Sequence, residues 1–118
     1  MGKKTILVID DDPTILALIA DILADAGYET VIATDGGVAY QVLQWARPDA
    51  IVVDLQMPTV TGQEFVLRVR KEAADLPVVV VSSHPNVDKE AAKVGASAYV
   101  RKPFDIDMLL TTVTAVVP

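Results

Sequence analysis

The chain has no cysteine. Disulfides, thiol catalysis and cysteine-ligated zinc are therefore excluded, and a cytoplasmic location is consistent with that composition. It has a single histidine and few aromatics, 5% of 118 residues. Positive charge is also scarce: ten Lys and Arg stand against sixteen Asp and Glu, for a net charge of −6. Binding nucleic acid rests on neutralising phosphates with cations, so direct contact with it is not expected. No apolar run approaches the roughly 18 residues needed to cross a bilayer. The start, Met1-Gly2-Lys3-Lys4-Thr5-Ile6, has no signal-peptide apolar region and misses the myristoylation pattern at Ile6.

What is present is apolar: 52% of residues are hydrophobic, enough for one real core at this length. We expect a single domain over 1–118, with its core at about 5–117. Short apolar runs alternate with helical patterns. Strands are expected at about Thr5–Asp10, Glu29–Ala33, Ala50–Asp54, Val78–Ser82 and Ser97–Arg101. A first helix follows Asp12, a natural N-cap, with Pro13 at its first position and Gly27 beyond its end. Further helices are expected at about Gly36–Ala46, Gln63–Ala74, Asn86–Val94 and Asp105–Val117. Five βα units whose strands are apolar rather than alternating indicate an α/β, doubly wound parallel sheet covered on both faces. Ligands bind such sheets at the carboxyl ends of the strands.

Those ends carry the chemistry. Asp10, Asp11 and Asp12 close the first apolar run, and Asp54 closes the third. Carboxylates there repel one another and are costly to desolvate unless a cation compensates. Oxygen donors with no nearby His or Cys favour magnesium or calcium over zinc. Magnesium takes one or two carboxylates and leaves positions open for phosphate oxygens. Ser82 and Lys102, at other strand ends, supply a hydroxyl and a cation. Metal, cation and donor around one aspartate suit phosphoryl transfer, which calls mainly for positioning and charge stabilisation.

Four ordered signatures make the chain resemble the receiver domain of two-component response regulators. They are Val8-Ile9-Asp10-Asp11-Asp12, Val52-Val53-Asp54-Leu55-Gln56-Met57-Pro58 with Gly62, Val80-Val81-Ser82-Ser83, and Tyr99-Val100-Arg101-Lys102-Pro103-Phe104. The resemblance covers about Thr5 to Val117. It implies a flavodoxin-like (βα)5 fold with strand order 2-1-3-4-5. It implies that Asp54 accepts a phosphoryl group from a histidine kinase or phosphotransfer protein, in a signalling role rather than that of an enzyme with external substrates. It further implies magnesium, or manganese in its place, on Asp10, Asp11, Asp54 and the Gln56 backbone carbonyl. Ser82 and Lys102 would contact the phosphoryl group, and Ser82 and Tyr99 would switch. Gln56 and His84 would tune water access, and the Lys102–Pro103 bond would be cis. The readout face would be the fourth helix, fifth strand and fifth helix, meeting an effector, an output domain or a second copy. Thr61 and Ser83 depart from the usual Asp and Ala.

Two other readings compete. Asp10-x-Asp12-x-Thr14 fits the first motif of haloacid-dehalogenase-like phosphatases, in which Asp10 would be the nucleophile and Asp12 the acid/base. A receiver-shaped module that no longer takes phosphate is the other. Among structural readings, Trp45 is expected as boundary packing and His84 as a surface residue. In the last helix Ile106, Leu109, Leu110, Val113 and Val117 are expected on the sheet. Met108, Thr111, Thr112 and Thr114 then form an uncharged outer face, suited to a second copy or a downstream segment.

Overall fold

The apolar runs become strands because β-branched residues fit a pleated surface covered on both sides. The computed structural model describes residues 2–57 and 61–118; Pro58 of the second signature lies outside them. The order is β1 (Thr5–Ile9), α1 (Pro13–Asp25), β2 (Glu29–Ala33), α2 (Gly36–Ala46), β3 (Ala50–Asp54), α3 (Gly62–Glu72), β4 (Val78–Ser82), α4 (Val87–Val94), β5 (Ala98–Arg101) and α5 (Ile106–Val116). All strand pairs are parallel, in the order β2-β1-β3-β4-β5. The order reverses between β1 and β3, so the crevice at the topological switch opens between Asp10 and Asp54.

Successive strand residues face opposite sides, which makes two cores. Leu7, Ile9, Ile51, Val53, Val78 and Val80 pack against α2, α3 and α4 through Ala39, Val42, Phe65, Val69 and Val87. Ile6, Val8, Val52, Val79, Val81 and Val100 pack against α1 and α5 through Leu16, Ile19, Leu23, Leu109 and Val113. Each such side chain, fully buried, contributes about 1.5–3 kcal/mol before the entropy of ordering is subtracted.

The helix starts hold their caps. The Asp12 carboxylate accepts from Thr14 N at 2.9 Å, with Pro13 opening α1. Asp35, Thr61 and Asp105 cap α2, α3 and α5 in the same way. Gly27 is left-handed, at φ 101°.

Three expectations need correction. β1 ends at Ile9; the Asp10 N–H still donates to Ala33 O at 3.3 Å, but its Oδ1 accepts from Asp12 N at 2.9 Å and opens a turn. Ile106 is 56% exposed, because α5 begins at the carboxyl edge with no strand beneath its first turn. It lines a surface cleft with Leu18, Ile22 and Phe104. Leu109 and Val113 are buried as expected, and Met108, Thr111 and Thr114 face outward. Trp45 is 69% exposed. The buried stripe of α2 is Gly36, Ala39 and Val42, and Trp45 stands on the flank turned away from it.

Candidate functional site

Asp10 follows β1 and Asp54 ends β3, on the two strands that flank the switch point. Both are almost wholly buried, at 1% and 4% exposure. Ser82 ends β4 and is completely buried, and Lys102 follows β5. The Lys102 Nζ lies 3.1 Å from Asp10 Oδ2 and 3.4 Å from Asp54 Oδ2. One ammonium thus bridges two buried carboxylates. Lys102 N also donates to Ser82 O at 2.8 Å, and the Lys102–Pro103 peptide bond is cis.

Asp54 Oδ1 accepts from Gln56 N at 2.9 Å. Burial nevertheless pushes the Asp54 carboxyl above the usual carboxylate range, and the charge of Asp10 adds to the rise. The Gln56 N–H and Lys102 work in the opposite direction without overcoming it. Burial also disfavours the Lys102 ammonium, but attraction to Asp54 and the hydrogen bond to Asp10 outweigh it, and its pKa is raised. Two buried carboxylates against one ammonium leave the pocket one positive charge short.

Asp11 brings a third, exposed carboxylate. One oxygen each from Asp10, Asp11 and Asp54 lie within 4.8 Å of one another. All three are hard donors, and the pocket's excess negative charge is what a hard divalent cation relieves. The residues therefore fit a magnesium-type ion.

Gly62 fixes the acidic strand end in place. Its N–H donates to Leu55 O at 3.2 Å. A Cβ there would overlap the Asp54 carbonyl oxygen and the Leu55 Cα. Only glycine lets the start of α3 lie against the backbone that carries Asp54.

The remaining expected residues surround this centre. The Gln56 side chain is exposed, and its Oε1 accepts from Ser83 Oγ at 3.1 Å. His84 is partly exposed; its Nδ1 accepts from Asn86 N at 3.0 Å, with Glu90 3.4 Å away. It reaches neither Asp10 nor Asp54 among the described hydrogen bonds. Tyr99 pairs with Val80 in the sheet and is 43% exposed, so its ring lies at the surface. Arg101, to which the sequence pattern assigns no role, donates through Nη1 to Pro85 O at 2.8 Å and His84 O at 3.3 Å. Its position beside Lys102 was the only sign. The phosphatase reading is not favoured: Asp12 is engaged in capping α1, and the Asp54–Lys102 pair has no part in that scheme.

Comparison with known proteins agrees with this arrangement. Residues 6–114 match the response regulator receiver domain, and the chain belongs to that family. It is 38% identical over 112 residues to the transcriptional regulatory protein PrrA of Mycobacterium tuberculosis, covering 93% of this chain and 48% of PrrA. The chain spans about half the length of the curated relatives it matches. Among solved structures it is similar to the chemotaxis protein CheY4 of Vibrio cholerae, with a TM-score of 0.91 and 35% identity over 98% of this chain and 99% of that one. It is also similar to the response regulator TrrA of Thermotoga maritima, solved in complex with Mg2+-BeF, with a TM-score of 0.89 and 29% identity over 96% and 98% of the two chains. The protein is thus a receiver domain of the two-component kind, and its acidic pocket fits a phosphoacceptor site.

Proposed function

We propose that Asp54 is the phosphoacceptor and that residues 1–118 act as one receiver domain, with the core at about 5–117. The observation that carries this is the Asp54 carboxylate, buried at the switch point and bridged to Asp10 through Lys102. An Asp54 oxygen attacks the phosphorus of a histidine kinase or phosphotransfer-protein phosphohistidine. The new O–P bond forms as the P–N bond breaks, and the departing imidazole takes up a proton. Lys102 then pairs with the phosphoryl oxygens, and the Ser82 hydroxyl donates to one of them.

Asp10, Asp11, Asp54 and the Gln56 carbonyl oxygen would hold magnesium, with manganese as a substitute. When bound, the ion supplies positive charge to the phosphoryl oxygens. The Mg2+-BeF complex of TrrA supports this assignment. Gln56 and His84 border the mouth and govern water access to the acyl phosphate. Phosphorylation adds roughly −1.5 to −2 charge. Contacts to Ser82 and Lys102 then bias a two-state equilibrium, with Tyr99 as the surface switch.

The readout face is α4, β5 and α5, which would engage an effector, an output domain or a second copy. PrrA's description as a transcriptional regulator favours an output domain. The net charge of −6 argues that this segment does not itself contact DNA. No helix among the described residues is long and apolar enough to cross a membrane, and we place the protein in the cytoplasm with its kinase.

The test is mass spectrometry after incubation with acetyl phosphate and magnesium. Wild type should gain one phosphoryl group and Asp54→Asn none. A label that survives Asp54→Asn but disappears in Asp10→Asn would overturn the assignment.

A further inference from the structure

The Ser82 hydroxyl is already bonded within its own loop. Ser82 is completely buried. Its Oγ accepts from His84 N at 3.0 Å, and no described hydrogen bond joins it to Asp54 or Lys102. Residues 83–86 follow it in the chain, and they are tied down on two sides. Ser83 Oγ donates to Gln56 Oε1. The Arg101 NH1 holds the carbonyl oxygens of His84 and Pro85. Bonds from a guanidinium are charge-assisted and stronger than neutral ones. The same strand end also carries Lys102, whose N–H holds Ser82 O and whose ammonium sits on Asp54.

We infer that Arg101 is a positioning residue that clamps the β4–α4 loop in the resting arrangement and so sets how readily Ser82 reaches the phosphoryl group. The inference rests on the phosphoacceptor reading above. Turning the hydroxyl to a phosphoryl group gives up its contact with His84 N, and the two carbonyls held by Arg101 lie in the segment that this contact anchors. A contact made in only one of two states biases the equilibrium by its differential strength. Loosening the clamp therefore raises the population able to bind. Arg101 thus acts through Ser82 rather than on the phosphoryl group.

The test is titration of wild type, Arg101→Gln and Arg101→Lys with beryllofluoride and magnesium, followed by amide chemical shifts, with thermal melting in parallel. Arg101→Gln should bind about fivefold tighter or more, the low end of ordinary coupling between sites. Its ligand-free shifts at Ser82–Asn86 should already lie between the free and bound wild-type positions. Arg101→Lys, whose shorter side chain cannot hold both carbonyls fully, should fall between wild type and Arg101→Gln. Unchanged or weaker binding by folded Arg101→Gln, with only a lowered melting point, would overturn the clamp. If Arg101→Gln does not fold, Arg101→Lys decides: a donor too short to hold both carbonyls fully should bind measurably tighter than wild type, and equal affinity overturns the inference. Absence of Asp54-dependent binding in wild type would overturn the phosphoacceptor reading, and the clamp with it.

Discussion

Both edges of the sheet hold a half-buried cation, and they use it in opposite ways. At the amino edge the Arg70 guanidinium donates to Gly95 O at 2.7 Å, Leu76 O at 2.6 Å and Ser97 Oγ at 3.4 Å. Ser97 Oγ in turn accepts from Val78 N at 3.1 Å. Every hydrogen-bond acceptor is neutral, though the Asp75 charge nearby favours the guanidinium, and together the acceptors tie α3, the α4 end and β5 into one frame. Burial lowers the Arg70 pKa, but a guanidinium stays charged throughout. At the carboxyl edge Lys102 faces two buried carboxylates, with a third nearby. Neutral acceptors around a cation complete a structure. Excess carboxylates leave a charge deficit that a proton or a cationic ligand can fill. That contrast, more than any single residue, marks the carboxyl edge as the working one.

Removing the cation at the working edge should have the largest effect. Lys102→Met leaves Asp10 and Asp54 buried without a partner. Breaking a buried pair destabilises by about 3–5 kcal/mol, and partial exposure of the ammonium brings this to about 2–4 kcal/mol. Urea denaturation at pH 7 measures it. In an Asp54→Asn background the same change should be much milder, because one of the two orphaned charges is gone. Equal losses in both backgrounds would mean that the carboxylates do not share the ammonium.

Arg70→Leu should come second. Three charge-assisted donors disappear, but the acceptors are neutral and water can reach several of them, so the loss is about 1–3 kcal/mol. Magnesium and beryllofluoride binding should be unchanged. A variant that loses ligand affinity along with stability would show the edges to be coupled rather than separate.

How much of this contrast could be read without coordinates depends on the range of each interaction. Most strand ends and caps follow from local pattern, which is why Asp54 ends β3 and Asp12 caps α1 as expected, while Asp10 lies one residue past its strand. The strand order came from resemblance, since periodicity fixes which residues are apolar but not which strands are neighbours. Ile106 fits the helical stripe of α5 yet is exposed, because the stripe does not say where the sheet beneath it ends. Arg70, Arg101 and the Ser83–Gln56 bond join residues 6–27 positions apart in sequence. A lone Arg or Ser carries no local sign of such partners. Gly62 was visible as part of a signature, but its contact with the Asp54 backbone was not.

Asp54→Asn should shift stability in the opposite direction to the two losses above. The Asp54 pKa is raised in the folded state. The folded protein therefore binds this proton more tightly than the unfolded chain, and stability falls as pH rises from the ordinary carboxylate pKa through the folded one. At neutral pH the full penalty of a buried, charged Asp54 is present, so Asp54→Asn should melt higher than wild type. The gain should shrink as pH falls through the folded-state pKa and vanish once Asp54 is protonated in both states. Melting curves from neutral to acid pH test this. A variant less stable than wild type at pH 7 would mean that Lys102 and the Gln56 N–H overcompensate the burial.

The smallest effect belongs to the amino edge again. Arg47 ends α2 in the left-handed region, at φ 46° and ψ 60°, the only described residue besides glycine with positive φ. An L side chain there costs about 1–2 kcal/mol. Arg47→Gly removes that strain but adds freedom to the unfolded chain, worth about 0.5–1 kcal/mol in the other direction. The net gain should be about 0.5 kcal/mol, or a melting point higher by about 2–4 °C for a domain near this size. Arg47 makes no described hydrogen bond or ion pair; it lines a surface cleft with Leu43, Pro48 and Glu72, and its exposed side chain leaves little packing to lose there. Phosphorylation by acetyl phosphate should proceed as in wild type. An altered rate would mean that strain at α2's end reaches Asp54 along β3, which begins only three residues after Arg47, and the division between a structural edge and a chemical one would then have to be redrawn.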